Sequence, residues 1–463
     1  MIMILGTFLT ALNQTIMSVA TPEVMKDLEI SASTAQWLTT GYLLVNGVLI
    51  PITAFFMKRF STRQLFMSSM IIFLFGTTIS AVAINFPLLL SGRLIQAIGA
   101  GIIIPLLYNV VLTLYPPSKR GTVMGMVSLA ILFAPAIGPT VAGYVLDQYS
   151  WQAMFYSLIP VIIIIIISSY FYLRNISETS KAKADIRSVI LSTVGFTGIL
   201  YGFSVAGEQG WSSLIVLSSL GIGLIAIALF TRRQLVSKDP LLDLSTFKYG
   251  KFTLFNIINI GITIIMYADM ILLPLYLQSS RGYSAMEAGL LLLPGAILMG
   301  LLSPVAGKIY DRFGAKWITI VGILITILTT IPFTVLTSST DYYYLLLMST
   351  GRRIGMALLI TPIQTAGLNQ IPTYLSSHAS AIWNTVRQVA GALGTSLLVT
   401  VMTIGTTNTL LNLTDSTEDG QADLMTLASI QGVNDAYFVI VVIGVVSLVL
   451  SFFIGNDKQI REG

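Results

Sequence analysis

The chain has 463 residues, of which 55% are hydrophobic and only 10% are charged, and its mean hydropathy is +0.84. A soluble domain carries about 25% charged residues, so this composition excludes a soluble enzyme or nucleic-acid-binding protein and indicates an integral membrane protein. The chain has no cysteine and one histidine, His378, which argues against disulfides, thiolate sites and a histidine-rich metal site. We expect no metal, no cofactor and no nucleic-acid partner.

Fourteen stretches of the sequence are apolar enough to cross a membrane as helices, which need about 20 residues each. The sequence therefore predicts an all-α integral membrane protein. The stretches lie near residues 2–21, 37–57, 65–84, 88–114, 121–146, 153–173, 188–206, 214–230, 252–277, 287–308, 316–337, 343–367, 380–407 and 435–455.

The basic residues are distributed unevenly between the loops. Nineteen of the 25 Lys and Arg residues lie in loops after even-numbered stretches or at the C-terminus. Only Lys26 and Arg281 lie in the other loops, and four arginines lie within the stretches. Because short cytoplasmic loops of membrane proteins are rich in Lys and Arg, this pattern predicts a multi-pass protein of the cell membrane with both termini cytoplasmic. The net charge of +5 then reflects topology and requires no acidic partner.

The sequence contains an internal repeat. The segment that begins at Pro51 resembles the one that begins at Pro304, and the pair Gly92-Arg93 recurs as Gly351-Arg352. The repeat predicts two six-helix bundles with two extra helices inserted between them. Parallel repeats of this kind enclose a site near the middle of the membrane and suit alternating access. The predicted units are residues 1–174 for the first bundle, 175–250 for the inserted helices and linker, and 251–463 for the second bundle.

The fifth stretch carries a series of small residues around a proline. Small residues allow close approach between helices, and a proline removes a backbone hydrogen bond and bends the helix. Tight packing alone is the alternative explanation. The series consists of Gly125, Ala134, Gly138, Pro139, Ala142 and Gly143.

The loop after the tenth stretch combines an acid, bases and glycines at Gly307, Asp311, Arg312, Gly314 and Lys316. An aspartate here can accept charge-assisted hydrogen bonds from the end of a helix in the opposite bundle. Orientation by positive charge explains the bases but not the aspartate. We therefore predict that Asp311 is a latch between the bundles.

Three further sequence motifs begin at Leu12-Asn13-Gln14, at Arg93-Leu-Ile-Gln96 and at Ser377-His378. Together these motifs resemble the major facilitator superfamily, in particular its fourteen-helix drug:proton antiporter-2 branch with the lincomycin-resistance-type exporters of Gram-positive bacteria. The resemblance implies a monomeric proton-coupled multidrug efflux antiporter, driven by the proton gradient. It also implies that the fifth-stretch motif seals the bundle and that Arg93 interacts with the proton-carrying acid.

The proton carrier expected from this resemblance is altered, because Asn13 stands where most of the family has aspartate. Asp269 is the single acidic residue deep within a stretch, and burial of a carboxylate favours its protonated form. We therefore predict that Asp269 couples transport to protons; the alternative is a structural partner for a buried arginine. Asn13, Gln14, Met266 and Arg387 are the predicted substrate-cavity residues.

Other functions fit the sequence less well. A membrane enzyme would need clustered acids, histidines or a nucleophile, and a channel would need rings of like residues. No nucleotide-binding G-x-x-x-x-G-K-S/T segment is present, so we do not expect ATP as the direct energy source. Transport of lipids, osmolytes or other small molecules on the same fold is the remaining alternative to the export of amphipathic, drug-like compounds, because a fold alone does not determine the substrate.

Overall fold

The computed structural model describes residues 1–30, 32–176, 185–237, 240–414 and 421–455. Within these residues the chain forms fourteen long α-helices and no β-strand. The helices are α1 (Ile2–Asp27), α2 (Ala32–Arg59), α3 (Thr62–Ala81), α4 (Phe86–Leu114), α5 (Pro117–Gln148), α6 (Gln152–Tyr172), α7 (Ile186–Gln209), α8 (Leu214–Val236), α9 (Gly250–Leu275), α10 (Ala285–Phe313), α11 (Ala315–Thr330), α12 (Tyr342–Asn369), α13 (Ser376–Thr414) and α14 (Gln421–Phe452). Shorter turns lie at Leu244–Lys248, Tyr276–Ser280, Ile331–Val335 and Thr373–Leu375.

Every apolar stretch predicted from the sequence overlaps one of these helices. Eleven helices in the described ranges are long and apolar enough to cross a membrane. The prediction of an all-α membrane protein is therefore confirmed. Fourteen crossings, the repeat and the cytoplasmic location of both termini stay predictions.

Several helices, among them α3 and α10, begin where a side chain can bond free backbone N–H groups. Ser61 and Ser284 each accept a hydrogen bond from the N–H three residues later, and Gln64 and Glu287 bond back to the cap. Such capping boxes satisfy donors that the first turn of a helix leaves free. Local sequence therefore sets where α3 and α10 begin.

The helices pack into two groups, with α1 to α6 contacting one another and α9 to α14 contacting one another. We call them the N-terminal half and the C-terminal half. Across the molecule, α5 packs against α10 and α12, and α13 packs against α2 and α4. These contacts form the seam between the halves.

The loop between α7 and α8 and the linker after α8 are both hydrogen-bonded to α13. Trp211 Nε1 donates to Thr400 Oγ1 of α13 at 2.6 Å, and the backbone N–H of Asp243 donates to His378 Nδ1 at 3.1 Å. Toward the N-terminal half, the Trp37 ring of α2 stacks on the Tyr201 ring of α7 with centroids 5.8 Å apart. The inserted pair therefore covers the α2–α13 side of the seam.

One end of the molecule carries the loops that are rich in Lys and Arg, and we call it the basic face. The ends of α2, α4, α6, α8, α10 and α12 lie here. The ends of α6, α8 and α12 contact the starts of α3, α7 and α5 through Arg63–Asn175, Arg233–Asp185 and Asn369–Arg120. Parts of the predicted basic clusters, at 177–184 and 456–463, lie outside the described residues.

Candidate functional site

Asp269 lies in α9 and is buried, with 6% of its surface exposed. Arg352 of α12 donates from Nη2 to its Oδ1, and Arg353 Nη2 lies 3.4 Å from Oδ2. Arg352 is buried to 1% exposure. The structure therefore brings the predicted proton-coupling acid together with two arginines, which we call the acid cluster (Asp269, Arg352 and Arg353).

Two aromatic rings cover the Arg352 guanidinium. Its Cζ lies 4.5 Å from the ring centroid of Phe333 and 5.3 Å from that of Tyr437. The faces of aromatic rings attract cations, so these rings stabilise charge that the single carboxylate does not balance. Nε and Nη1 of Arg352, with Nε of Arg353, are buried and have no hydrogen-bond partner within the described ranges.

A second buried arginine lies in the N-terminal half. Arg93 of α4 donates from Nη1 to Asn13 Oδ1 at 3.2 Å and to Gln96 Oε1 at 2.9 Å, and from Nε to the carbonyl oxygen of Leu38 at 3.4 Å. The Tyr42 ring lies 4.4 Å from Arg93 Cζ. Asn13 and Arg93 are both almost completely buried. The structure does not bring Arg93 to Asp269, the acid that the sequence offers, but to a neutral amide.

The two arginines occupy comparable places in the two halves. Arg93 bonds a side chain of α1 from α4, and Arg352 bonds a side chain of α9 from α12. In the predicted repeat, α9 corresponds to α1 and α12 to α4. One half therefore pairs its arginine with a carboxylate that can take up a proton, and the other with an amide that cannot.

The remaining predicted cavity residues are partly exposed. Gln14 follows Asn13 on α1, Met266 lies one helical turn before Asp269 on α9, and Arg387 lies in the first third of α13. In the described residues, Arg387 takes part in no hydrogen bond or ion pair. The other three arginines of the predicted spans, Arg93, Arg352 and Arg353, each have a hydrogen bond or an ion pair.

On the basic face, Asp311 near the end of α10 contacts the start of α5. Its Oδ1 accepts from the N–H of Gly121 at 2.8 Å, and its Oδ2 accepts from the N–H and the hydroxyl of Thr122, each at 2.7 Å. Arg312 points elsewhere, with its Cζ 5.2 Å from the ring centroid of Phe313. The contact is the one that the loop motif predicts, whereas its role as a latch stays a prediction.

The glycines of the two motifs serve different needs. A Cβ at Gly125 would lie 2.6 Å from Cα of Pro304 on α10, so only glycine allows α5 and α10 to approach this closely. Gly314 links α10 to α11 with φ of 83°, a conformation that favours glycine. Gly138 faces Thr15 of α1. Pro139 and Gly143 also lie in α5, but their packing falls outside the described part of the structure.

Hydrogen bonds between the halves cluster toward the basic face. Besides Asp311, they involve the end of α4 with the start of α13, and α5 with α12. The donor–acceptor pairs are Ser376 Oγ to Asn109 Oδ1 at 2.8 Å, Ser380 Oγ to the carbonyl of Pro105 at 3.1 Å, Arg120 Nη1 to Asn369 Oδ1 at 2.8 Å and Thr361 Oγ1 to Ser128 Oγ at 2.9 Å. The seam is therefore closed at the basic face in this structure.

Sequence reasoning missed four participants in the site, Arg352, Arg353, Phe333 and Tyr437. The doublet Arg352-Arg353 hinted at a second arginine in the acid cluster, because two adjacent bases within an apolar stretch are unusual. For Phe333 and Tyr437, no sequence signal distinguishes them from other aromatic residues of the spans. Their contribution depends on helix packing.

Known proteins share the sequence pattern and the fold of this chain. Residues 3–395 match the sequence profile of the Major Facilitator Superfamily. The chain is 46% identical over 424 residues to the uncharacterized MFS-type transporter YhcA of Bacillus subtilis (strain 168), covering 92% of this chain and 80% of YhcA. It is 40% identical over 460 residues to the lincomycin resistance protein LmrB of the same organism, covering 98% and 95%. The fold resembles the crystal structure of the human organic anion transporter MFSD10 (TETRAN), with a TM-score of 0.66, 11% identity and coverage of 97% and 98%.

Proposed function

The chain belongs to the major facilitator superfamily of membrane transporters, and we propose that it is a proton-coupled antiporter. Its proposed function is to export lipophilic antimicrobial or toxic compounds by alternating access. As a member of the family it is a multi-pass membrane transporter and not an enzyme. The similarity to a lincomycin resistance protein along 98% of the chain supports export of drug-like compounds. The proton gradient is the proposed energy source.

The observation that carries the proposal is the burial of Asp269 between two arginines. Breaking a buried ion pair leaves an uncompensated charge, which is strongly unfavourable. Protonation of Asp269 removes its charge and weakens its bonds to Arg352 and Arg353, so α9 and α12 are held together differently in the two protonation states. A proton taken up from outside and released inside can thereby bias the conformation of the C-terminal half.

Substrate coupling follows from the neighbours of Asp269. Met266 lies one helical turn away on the same helix and is partly exposed. Methionine adapts its shape to different apolar ligands, so a ligand that contacts Met266 lies close to the acid cluster. We propose that substrate binding and protonation of Asp269 influence each other through this proximity.

The pair of Asn13 and Arg93 has a complementary role in the proposal. An amide does not change charge with pH, so it connects α1 to α4 throughout the cycle. The proton-dependent change would then be confined to α9 and α12. On the basic face, the bonds of Asp311 to α5 would break when the protein opens toward the cytoplasm.

The test is reconstitution of the purified protein in liposomes with an imposed pH gradient. Asp269→Asn should abolish drug-dependent proton flux and gradient-driven drug transport, and Asp269→Glu should restore part of both. Asp435→Asn is the matched control, since its Oδ1 accepts a hydrogen bond from Gln431 at 2.9 Å that an amide oxygen can also accept. We expect wild-type transport from this control.

A thermal unfolding curve for each variant separates the two interpretations of Asp269. If Asp269→Asn is folded and still transports at the wild-type rate under the gradient, Asp269 is only a structural partner of Arg352. If the wild-type protein shows no drug-dependent proton flux with a chemically broad panel of compounds, proton-coupled drug export is wrong. Transport of lipids or osmolytes would then be favoured.

A further inference from the structure

Arg387 differs from the other arginines of the predicted spans. Arg93 bonds two side chains and a carbonyl, while Arg352 and Arg353 share Asp269. Arg387 has neither a hydrogen bond nor an ion pair among the residues that the structure describes, and its side chain is partly exposed. A charged guanidinium within a span is costly unless water or a partner compensates it. Water or a bound ligand therefore has to compensate the charge of Arg387.

The position of Arg387 is defined by its neighbours along α13. Ser380, two turns before it, donates to the carbonyl of Pro105 on α4. At Gly391, one turn after it, a Cβ would lie 3.1 Å from the Tyr267 ring of α9. Because residues separated by one or two full turns lie on one helix face, Arg387 lies on the face of α13 directed toward α4 and α9. This face lies between the two halves.

A site between the halves is where an alternating-access transporter of this architecture holds its substrate. Access alternates by motion of one half against the other, so a ligand here is exposed first to one side and then to the other. Arg387 is thus a cation at the place where the proposed function requires a substrate. Tyr267, against which this face of α13 packs, lies two residues before Asp269 on α9, so the place and the acid cluster lie along the same segment of α9.

The charges around the site select the class of ligand. The predicted spans contain four arginines (Arg93, Arg352, Arg353 and Arg387) and a single deep carboxylate, Asp269, which Arg352 and Arg353 already bind. The interior of the spans therefore has a net charge of +3. Cationic amphiphiles meet repulsion here. A carboxylate meets a planar guanidinium that offers two parallel N–H donors in the geometry that carboxylates accept.

We infer that Arg387 binds the acidic group of a transported lipophilic carboxylate, and so makes such carboxylates a preferred substrate class of this protein. The inference rests on the proposed export function and adds to it the chemistry of the substrate. The apolar part of the ligand lies against adaptable side chains such as Met266, while the carboxylate determines its orientation. Arg387 is then a specificity-determining residue and takes no part in proton uptake.

The test uses dansyl-phenylalanine and its methyl ester, in which a methyl group replaces the negative charge, together with tetraphenylphosphonium as a lipophilic cation. Binding to the purified protein in detergent is measured by equilibrium dialysis, which requires no proton coupling. Arg387→Gln should weaken binding of the carboxylate by about ten- to a hundredfold, the range expected for loss of hydrogen bonds to a charged group, and should leave the ester and the cation within about twofold. Arg387→Lys should bind the carboxylate with an affinity between those of the wild type and Arg387→Gln.

Lys251→Gln is the matched control because it removes one positive charge from an exposed position at the start of α9. It should bind all three probes like the wild type. Equal binding of the acid and the ester by the wild type, or equal losses for both probes in Arg387→Gln, would overturn the inference. A normal carboxylate preference with no antiport in liposomes would instead contradict the proposed proton coupling and leave the role of Arg387 supported.

Discussion

The proposed latch between Asp311 and the start of α5 gives the most direct test of the conformational equilibrium. Its carboxylate accepts three hydrogen bonds, two from backbone N–H groups of α5 and one from the Thr122 hydroxyl, at 2.7 to 2.8 Å. Asp311→Asn keeps the shape but removes the negative charge and turns an NH2 group toward a donor. We therefore expect loss of about one charge-assisted bond, or about 2 kcal/mol.

If Asp311 is a latch, its bonds exist only while the basic face is closed, and their loss favours opening of that face. A change of about 2 kcal/mol alters the ratio of closed to open molecules by about thirtyfold. Since the protein has no cysteine, two labels can be introduced without background. Leu114 and Thr373 are exposed near the Asn109–Ser376 contact across the seam and are suitable sites for spin labels.

In the Leu114→Cys, Thr373→Cys background, pulsed electron paramagnetic resonance should show a single short distance. Addition of Asp311→Asn should transfer much of this population to a longer distance. Asp341→Asn is the matched control: Asp341 caps α12 at the opposite end, where asparagine caps equally well. An unchanged distribution in Asp311→Asn, or an equal shift in Asp341→Asn, would refute the assignment of Asp311 as a latch.

Three further predictions concern the halves and their ends. Asn13→Asp places a carboxylate beside Arg93. It should raise the melting temperature at pH 7 and add a second proton-dependent step to transport. The number of protons is measured by titrating drug-dependent proton uptake. Gly125→Leu should block closure of the α5–α10 contact and abolish transport while surface expression persists, whereas wild-type transport would contradict the need for close approach. Hydrogen bonds from Arg233 hold the pKa of Asp185 down to about 2, below the ordinary value near 3.9. The pair therefore stabilises the fold above about pH 4, and its contribution is lost as the pH falls toward 2. Asp185→Asn should therefore lower the melting temperature at pH 7 by a small amount that shrinks below pH 4, and a difference independent of pH would contradict this account.

The fold was predictable because the membrane imposes strong constraints on sequence. Each helix must supply about 20 apolar residues and satisfy its own backbone, so the helices could be located one by one. The contact of Asp311 with α5 was accessible for a similar reason, since a charged residue among glycines at a helix end has few structural explanations.

The partners of the buried arginines were harder to predict. The sequence shows that Arg93, Arg352 and Arg353 lie within apolar stretches, but not which helix faces each of them. Tyr42, Phe333 and Tyr437 are chosen by packing, and aromatic residues are common throughout the spans. Sequence separation also concealed that Arg93 meets Asn13 rather than an acid, because the two residues are distant along the chain and adjacent only in the bundle.

The acid cluster also has a consequence for the electrical side of transport. In the proposed mechanism, the one carboxylate of Asp269 carries one proton per cycle. Exchange of an inward proton for an outward lipophilic cation would move no net charge, whereas exchange for an outward carboxylate would move two charges in the same electrical sense. At about 2.3 kcal/mol per charge and 100 mV, the membrane voltage would then contribute about 4.6 kcal/mol to each carboxylate exported. Substrate charge would thus decide whether the cell's voltage assists the transporter.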